Sequence, residues 1–106
     1  MTSRVKKDWQ LRLYIADESG LSRVALQSLK EACEKYVQGH YQIEVVDIEK
    51  QPDRANDDDI IAIPTLVRLE PGPKRRVVGA TDVESFAVAL GFPPLGAIGT
   101  RERESA

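Results

Sequence analysis

The chain has 106 residues, 42% of them hydrophobic, with 15 basic and 17 acidic side chains and a formal net charge of −2. That length suits one small domain able to bury a core unaided, and the apolar fraction is too high for a compositionally disordered chain. The near-balance of charge argues against a nucleic-acid partner, which normally requires a basic excess. The single cysteine, Cys33, cannot close an internal disulfide and gives no sign of secretion. No apolar leader follows the first charges and no apolar run reaches membrane-spanning length, so the expectation is a soluble, cytoplasmic protein with no membrane partner.

Residues 1–9 read as a flexible N-terminus. From Gln10 to Ala16, Leu11, Leu13 and Ile15 alternate with Gln10, Arg12 and Tyr14, the period of two of a strand. Asp17-Glu18-Ser19-Gly20 is a loop, and Ser22 is suited to cap a helix. Leu26, Leu29, Cys33, Tyr36 and Val37 then recur at helical spacing, and Gly39 is placed to end that helix near Gln38. Gln42 to Ile48 is a second strand, with Ile43, Val45 and Val46 suited to a packed, pleated surface. Pro52 opens a short helix over Asp53 to Asp58, since its missing N–H is not needed there.

Ile60 and Ile61 should point inward. Thr65 to Glu70 and Arg75 to Val78 are strands joined by the turn Pro71-Gly72-Pro73. Asp82 caps a last helix from Val83 to Leu90, whose apolar side is Phe86, Ala87 and Leu90, and Gly91 stops it. Residues 10–91 thus form one domain, and residues 92–106, Pro- and Gly-rich and then charged, are expected to be a disordered tail.

The order β-α-β, short helix, β-β-α implies a parallel pair with a right-handed crossover, followed by an antiparallel hairpin. This is an α/β, thioredoxin-like mixed sheet with helices on both faces. Pro64 stands at the entry to a strand, which suits a cis bond or a trans proline at a strand's first residue; periodicity does not choose between them.

A thiol redox enzyme of this layout needs a thiolate at the start of the first helix. The loop from Asp17 to Ser22 has no cysteine and adds two carboxylates, while Cys33 lies about three turns on, on the apolar face. His40 reads as a solvated loop residue. Asp57-Asp58-Asp59 lacks calcium-loop spacing and reads as a solvated acidic face, so no metal site and no cofactor are expected. A glutathione-dependent enzyme using Ile63-Pro64 as a substrate rest is the catalytic alternative, disfavoured by the same loop.

Several segments together resemble the KaiB family. They are Leu13-Tyr14-Ile15-Ala16, Ala25-Leu26-Gln27-Ser28-Leu29, Tyr41 through Val45-Val46-Asp47-Ile48, Gln51-Pro52 with Ala55, Asp59-Ile60-Ile61-Ala62-Ile63-Pro64-Thr65-Leu66, and Pro73-Lys74-Arg75-Arg76-Val77-Val78-Gly79. The resemblance implies a non-catalytic, metamorphic adaptor of the circadian clock that binds the hexameric ATPase KaiC and helps to capture KaiA. Its N-terminal β-α-β half is retained, while its C-terminal half takes either a tetramer-forming ground state or a thioredoxin-like, binding-competent state. The sensor domain of the SasA histidine kinase is similar and thioredoxin-like throughout, so a SasA-type sensor with another signalling partner is the alternative.

With this resemblance, Ile63-Pro64 is expected to be cis. The partner is expected at the exposed cations Arg68, Lys74, Arg75 and Arg76, with Arg23 a weaker candidate. After Gly79 the chain departs from the family's usual Asp-Leu-Ser, carrying Ala80-Thr81-Asp82, and Val24 stands where the family's helix-one arginine is usual. The capped, alanine-bearing segment from Asp82 to Leu90 predicts a mainly monomeric chain in the thioredoxin-like form, with a tetramer possible in the alternative fold.

Overall fold

A computed structural model describes residues 8–16, 20–60 and 62–94. Strand β1 (Trp9–Ile15) is central because both of its edges are taken. It pairs in parallel with β2 (Tyr41–Asp47), from Trp9↔Tyr41 to Ile15↔Asp47. On its other side it pairs antiparallel with β3 (Thr65–Glu70), which pairs in turn with β4 (Arg75–Val78), giving the order β2-β1-β3-β4. The parallel pair is bridged by helix α1 (Gly20–Tyr36), and α2 (Val83–Leu90) follows the hairpin.

Alternation along β1 divides the molecule into two cores. Leu11 and Leu13 face a cluster built from Ala25, Leu29, Ala32 and Cys33 of α1, Val37, Leu66, Val77 and Phe86, Ala87 and Leu90 of α2. Both α-helices therefore cover one face. Tyr14, on the opposite face, packs with Val46 and Val67 under Ile48, Ile60, Ile63 and Leu69. The helix on that face is a single 3-10 segment, Pro52–Asp58, opened by proline as expected. Helices on both faces are thus present, two α-helices against one 3-10 helix.

The elements from Thr65 to Leu90 match their predicted bounds, and α2 is capped as anticipated. The Asp82 side chain accepts the Ser85 N–H at 2.8 Å, and Gly91 takes the left-handed conformation at φ 78° that favours glycine at a helix end. The Ile63-Pro64 bond is cis.

Four expectations need correction. Ser22 does not cap α1: the helix already begins at Gly20, and the buried Ser22 hydroxyl accepts the Ala16 N–H at 3.3 Å, tying the helix to the end of β1. Val45 is 41% exposed, because β2 is the edge strand of the sheet formed by the described residues. The N-terminal boundary moves outward, since Trp9 belongs to β1 and its N–H donates to the His40 carbonyl at 2.9 Å.

Phe92, placed in the tail by sequence, is only 9% exposed and meets Trp9 edge-on with ring centroids 4.7 Å apart. An aromatic contact of that geometry closes the domain at a position where composition alone suggests disorder. The expectation for Ile61 and those for residues 1–7, 17–19 and 95–106 fall outside the described residues.

Candidate partner-binding face

The four hairpin cations do not form one exposed patch. Strand alternation sends neighbouring side chains of β4 to opposite faces, so Lys74-Arg75-Arg76 is split two ways. Arg75 joins Arg68, its cross-strand partner, on the α-helical face. There Arg68 Nη1 donates to the Leu90 carbonyl at 2.6 Å and Arg75 Nη1 to the Ala89 carbonyl at 2.7 Å. Two guanidinium groups therefore sit at the C-terminus of α2, where unsatisfied carbonyls and the negative end of the helix dipole favour positive charge. Arg68 Nη2 also donates to the Pro73 carbonyl at 3.0 Å, which braces the turn, while Arg68 Nε is buried without a hydrogen-bond partner among the described residues.

Lys74 and Arg76 turn to the other face and meet Asp58. Lys74 Nζ donates to Asp58 Oδ1 at 2.8 Å, and Arg76 Nη1 donates to the Asp58 backbone carbonyl at 2.8 Å. Asp58 Oδ2 accepts from Tyr14 Oη at 2.7 Å and from Arg12 Nη1 at 3.1 Å. The expectation of a solvated acidic face fails at this residue, whose side chain is 2% exposed. Burial pushes the Asp58 carboxyl up, but hydrogen bonds from Lys74, Tyr14 and Arg12 outweigh it and hold the group below its ordinary value. Burial, and then the hydrogen bond to Asp58, raise the Tyr14 phenol. Around this centre Arg12 also pairs with Glu44 at 2.8 Å, and Arg54 bridges Glu44 and Asp57 at 3.0 Å each.

Arg23 stands apart from both groups, exposed on α1 with no ion-pair partner among the described residues. Cys33 is fully buried, and desolvation, with a smaller contribution from Glu34, pushes its thiol up to about 12, far from the thiolate that redox chemistry needs. Pro64 is buried beside Thr65, whose hydroxyl donates to the Ala62 carbonyl at 2.7 Å. Among the described residues no group of three or more acidic, histidine or cysteine side chains is arranged to hold a metal ion, and no helix is long and apolar enough to cross a membrane.

The residues that sequence reasoning missed are Arg12, Tyr14 and Asp58. Alternation places Arg12 and Tyr14 on one face, but their partner lies 44 or more positions away, and nothing local marks it.

The four-stranded sheet and its two α-helices have known relatives. Residues 12–90 match the model of the KaiB domain. The chain belongs to the KaiB family. It is 39% identical over 89 residues to the circadian clock oscillator protein KaiB of Trichodesmium erythraeum (strain IMS101), covering 83% of this chain and 86% of that one. It is 38% identical over 89 residues to the circadian clock oscillator protein KaiB1 of Synechocystis sp. (strain ATCC 27184 / PCC 6803 / Kazusa), covering 83% and 85% respectively.

In three dimensions the chain is similar to the N-terminal domain of Synechococcus elongatus SasA, with a TM-score of 0.68 at 21% identity, covering 81% of this chain and 82% of that one. It is also similar to chloroplastic thioredoxin z, with a TM-score of 0.67 at 22% identity, covering 85% and 80%. The fold of this KaiB-family chain is thioredoxin-like.

Proposed function

We propose that this chain is a non-catalytic, cytoplasmic adaptor that docks in its thioredoxin-like form on a KaiC-like ATPase ring, in a circadian clock or a related signalling system, and is mainly monomeric. One observation carries the reading. A chain 39% identical to a clock oscillator protein has a C-terminal half arranged as an antiparallel hairpin followed by α2, the architecture of a thioredoxin-like domain, while its lone cysteine is buried. A KaiA-like protein is the expected second partner on the assembled complex. The thioredoxin-like similarity to the SasA N-terminal domain favours one other reading, a stand-alone sensor domain that meets a histidine kinase or another signalling partner.

The partner face we assign is the outer edge of the β3–β4 hairpin, where Lys74, Arg75 and Arg76 are exposed, with Arg23 as a second, separate cation. Arg68, half-buried, and Arg75 also brace that edge against the end of α2. Rim charges act chiefly on association rate and its salt dependence.

The test is to mix the purified chain with the KaiC-like ATPase of its own source and with the source's histidine kinases, and to follow complex formation by sedimentation. A complex with the ATPase is expected, forming more slowly at low salt for Arg23→Glu with Lys74→Glu. A complex with a kinase alone would establish the second reading. Turnover in insulin-reduction or glutathione-transfer assays that disappears in Cys33→Ser would overturn both. A tetrameric mass with strand-like NMR shifts over residues 80–92 would refute the proposed conformational state.

A further inference from the structure

The Asp58 carboxylate joins three segments that are remote in sequence. Arg12 and Tyr14 reach it from β1, Lys74 reaches it from the residue that leads into β4, and Asp58 itself ends the 3-10 helix. Arg76 adds a bond to its backbone carbonyl. This is the face without α-helices, so no α-helix packs on β4 there. β4 is also an edge strand, with only four register pairs to β3. The carboxylate is 2% exposed, whereas the Lys74 side chain is 56% exposed.

We propose that Asp58 is a latch fastening β4 and the 3-10 helix to β1, and that Lys74 is the handle through which the latch opens from solvent. A buried carboxylate that loses one of its cations is left partly uncompensated, which is costly in a low-dielectric site. Of its donors, Arg12 and Tyr14 are anchored in the central strand, and Arg76 holds the backbone rather than the carboxylate. Lys74 alone ends in solvent, on a flexible stem. An anion that binds Lys74 more tightly in the open latch than in the closed one shifts the latch toward opening, by linkage.

The titratable and charged groups around the carboxylate are Arg12 and Tyr14 on β1, Glu44 of β2 beyond Arg12, Lys74 and Arg76 on the hairpin, and the adjacent Asp57 and Asp59. Arg54 already engages Asp57, at 3.0 Å, so it does not replace Lys74. The inference is independent of whether the partner is an ATPase ring or a kinase.

The experiment uses NMR on the full chain, wild type against Lys74→Gln and Asp58→Asn. In Lys74→Gln the Asp58 side-chain carbon should titrate at higher pH than in wild type. Amides of the 3-10 helix and β4 should exchange about tenfold faster, as expected for losing a charged hydrogen bond, with α1 and the β1–β2 pair unchanged. Asp58→Asn should release the same two segments further. If that variant does not fold, Lys74→Gln decides alone, since it changes only the exposed end of a side chain. An unmoved Asp58 titration, or exchange accelerated equally across the whole chain, would overturn the latch.

Discussion

The N-terminal β-α-β half and the C-terminal β-β-α half are held by different forces. In the first, a 17-residue helix lays Ala25, Leu29, Ala32 and Cys33 on Leu11 and Leu13, and apolar burial does most of the holding. In the second, a four-residue strand and an eight-residue helix are too short to rely on burial and propensity alone. Polar side chains reaching across the fold supplement them: Arg68 and Arg75 to the end of α2, Asp58 to Lys74, and Glu84 to Tyr36 at 2.7 Å and Lys35 at 2.9 Å on α1. The first half should therefore respond chiefly to changes of volume, and the second to changes of charge as well as to changes at its buried Phe86 and Leu90.

Substitutions can break this comparison. The largest effect is expected from Leu29→Ala. Leu29 is fully buried between α1 and the sheet, and removing its side chain should cost about 2–5 kcal/mol. Urea denaturation should show the midpoint fall with the transition still cooperative.

Acid comes next and should act on the second half. The native Asp58 carboxyl lies below its ordinary value, so its contribution is fully present above the unfolded carboxylate range and is lost as pH falls through the lowered native value. Glu84, lowered by its bonds from Lys35 and Tyr36, adds loss of the same sign. Amide exchange between pH 6 and 3 should show the 3-10 helix, β4 and α2 losing protection before β1 and β2, after correction for the intrinsic pH dependence of exchange. A simultaneous loss would show that the two halves are not distinct in this respect.

Arg68→Met keeps the aliphatic bulk and removes two charged hydrogen bonds, so about 2 kcal/mol of destabilisation is expected. The loss should concentrate in α2 amides, and Trp9 fluorescence should report any release of Phe92, its ring partner. Asp82→Ala removes the α2 N-cap and should cost about 1 kcal/mol in the same denaturation assay. Arg75→Met is the mildest, since its carbonyl contact at the helix end is exposed: about 0.5 kcal/mol, diminishing as salt is raised. An Arg75 effect as large as that of Arg68 would mean that charge at the helix end, rather than the buried geometry of Arg68, secures α2.

Much of the molecule was determined by the sequence alone, because the signals are local. Period-two alternation marks β1, helical spacing marks α1, and Asp82 with Gly91 bounds α2 to the residue; each depends on chemistry within a few positions of where it acts. The family too is legible in short motifs in register. Tertiary structure alone decided what the charges do. From sequence, Lys74, Arg75 and Arg76 are one basic run and Asp57-Asp58-Asp59 one acidic run. Folding turns Arg75 to α2 and directs Lys74 and Arg76 to Asp58, and it buries the middle aspartate while leaving its neighbours exposed. It likewise draws Phe92 out of an apparently structureless tail onto Trp9, 83 residues earlier by subtraction of their numbers. Whether a charge is solvated or buried, and which charge opposes it, depends on which strands lie side by side, and that is a property of chain segments far apart in the sequence.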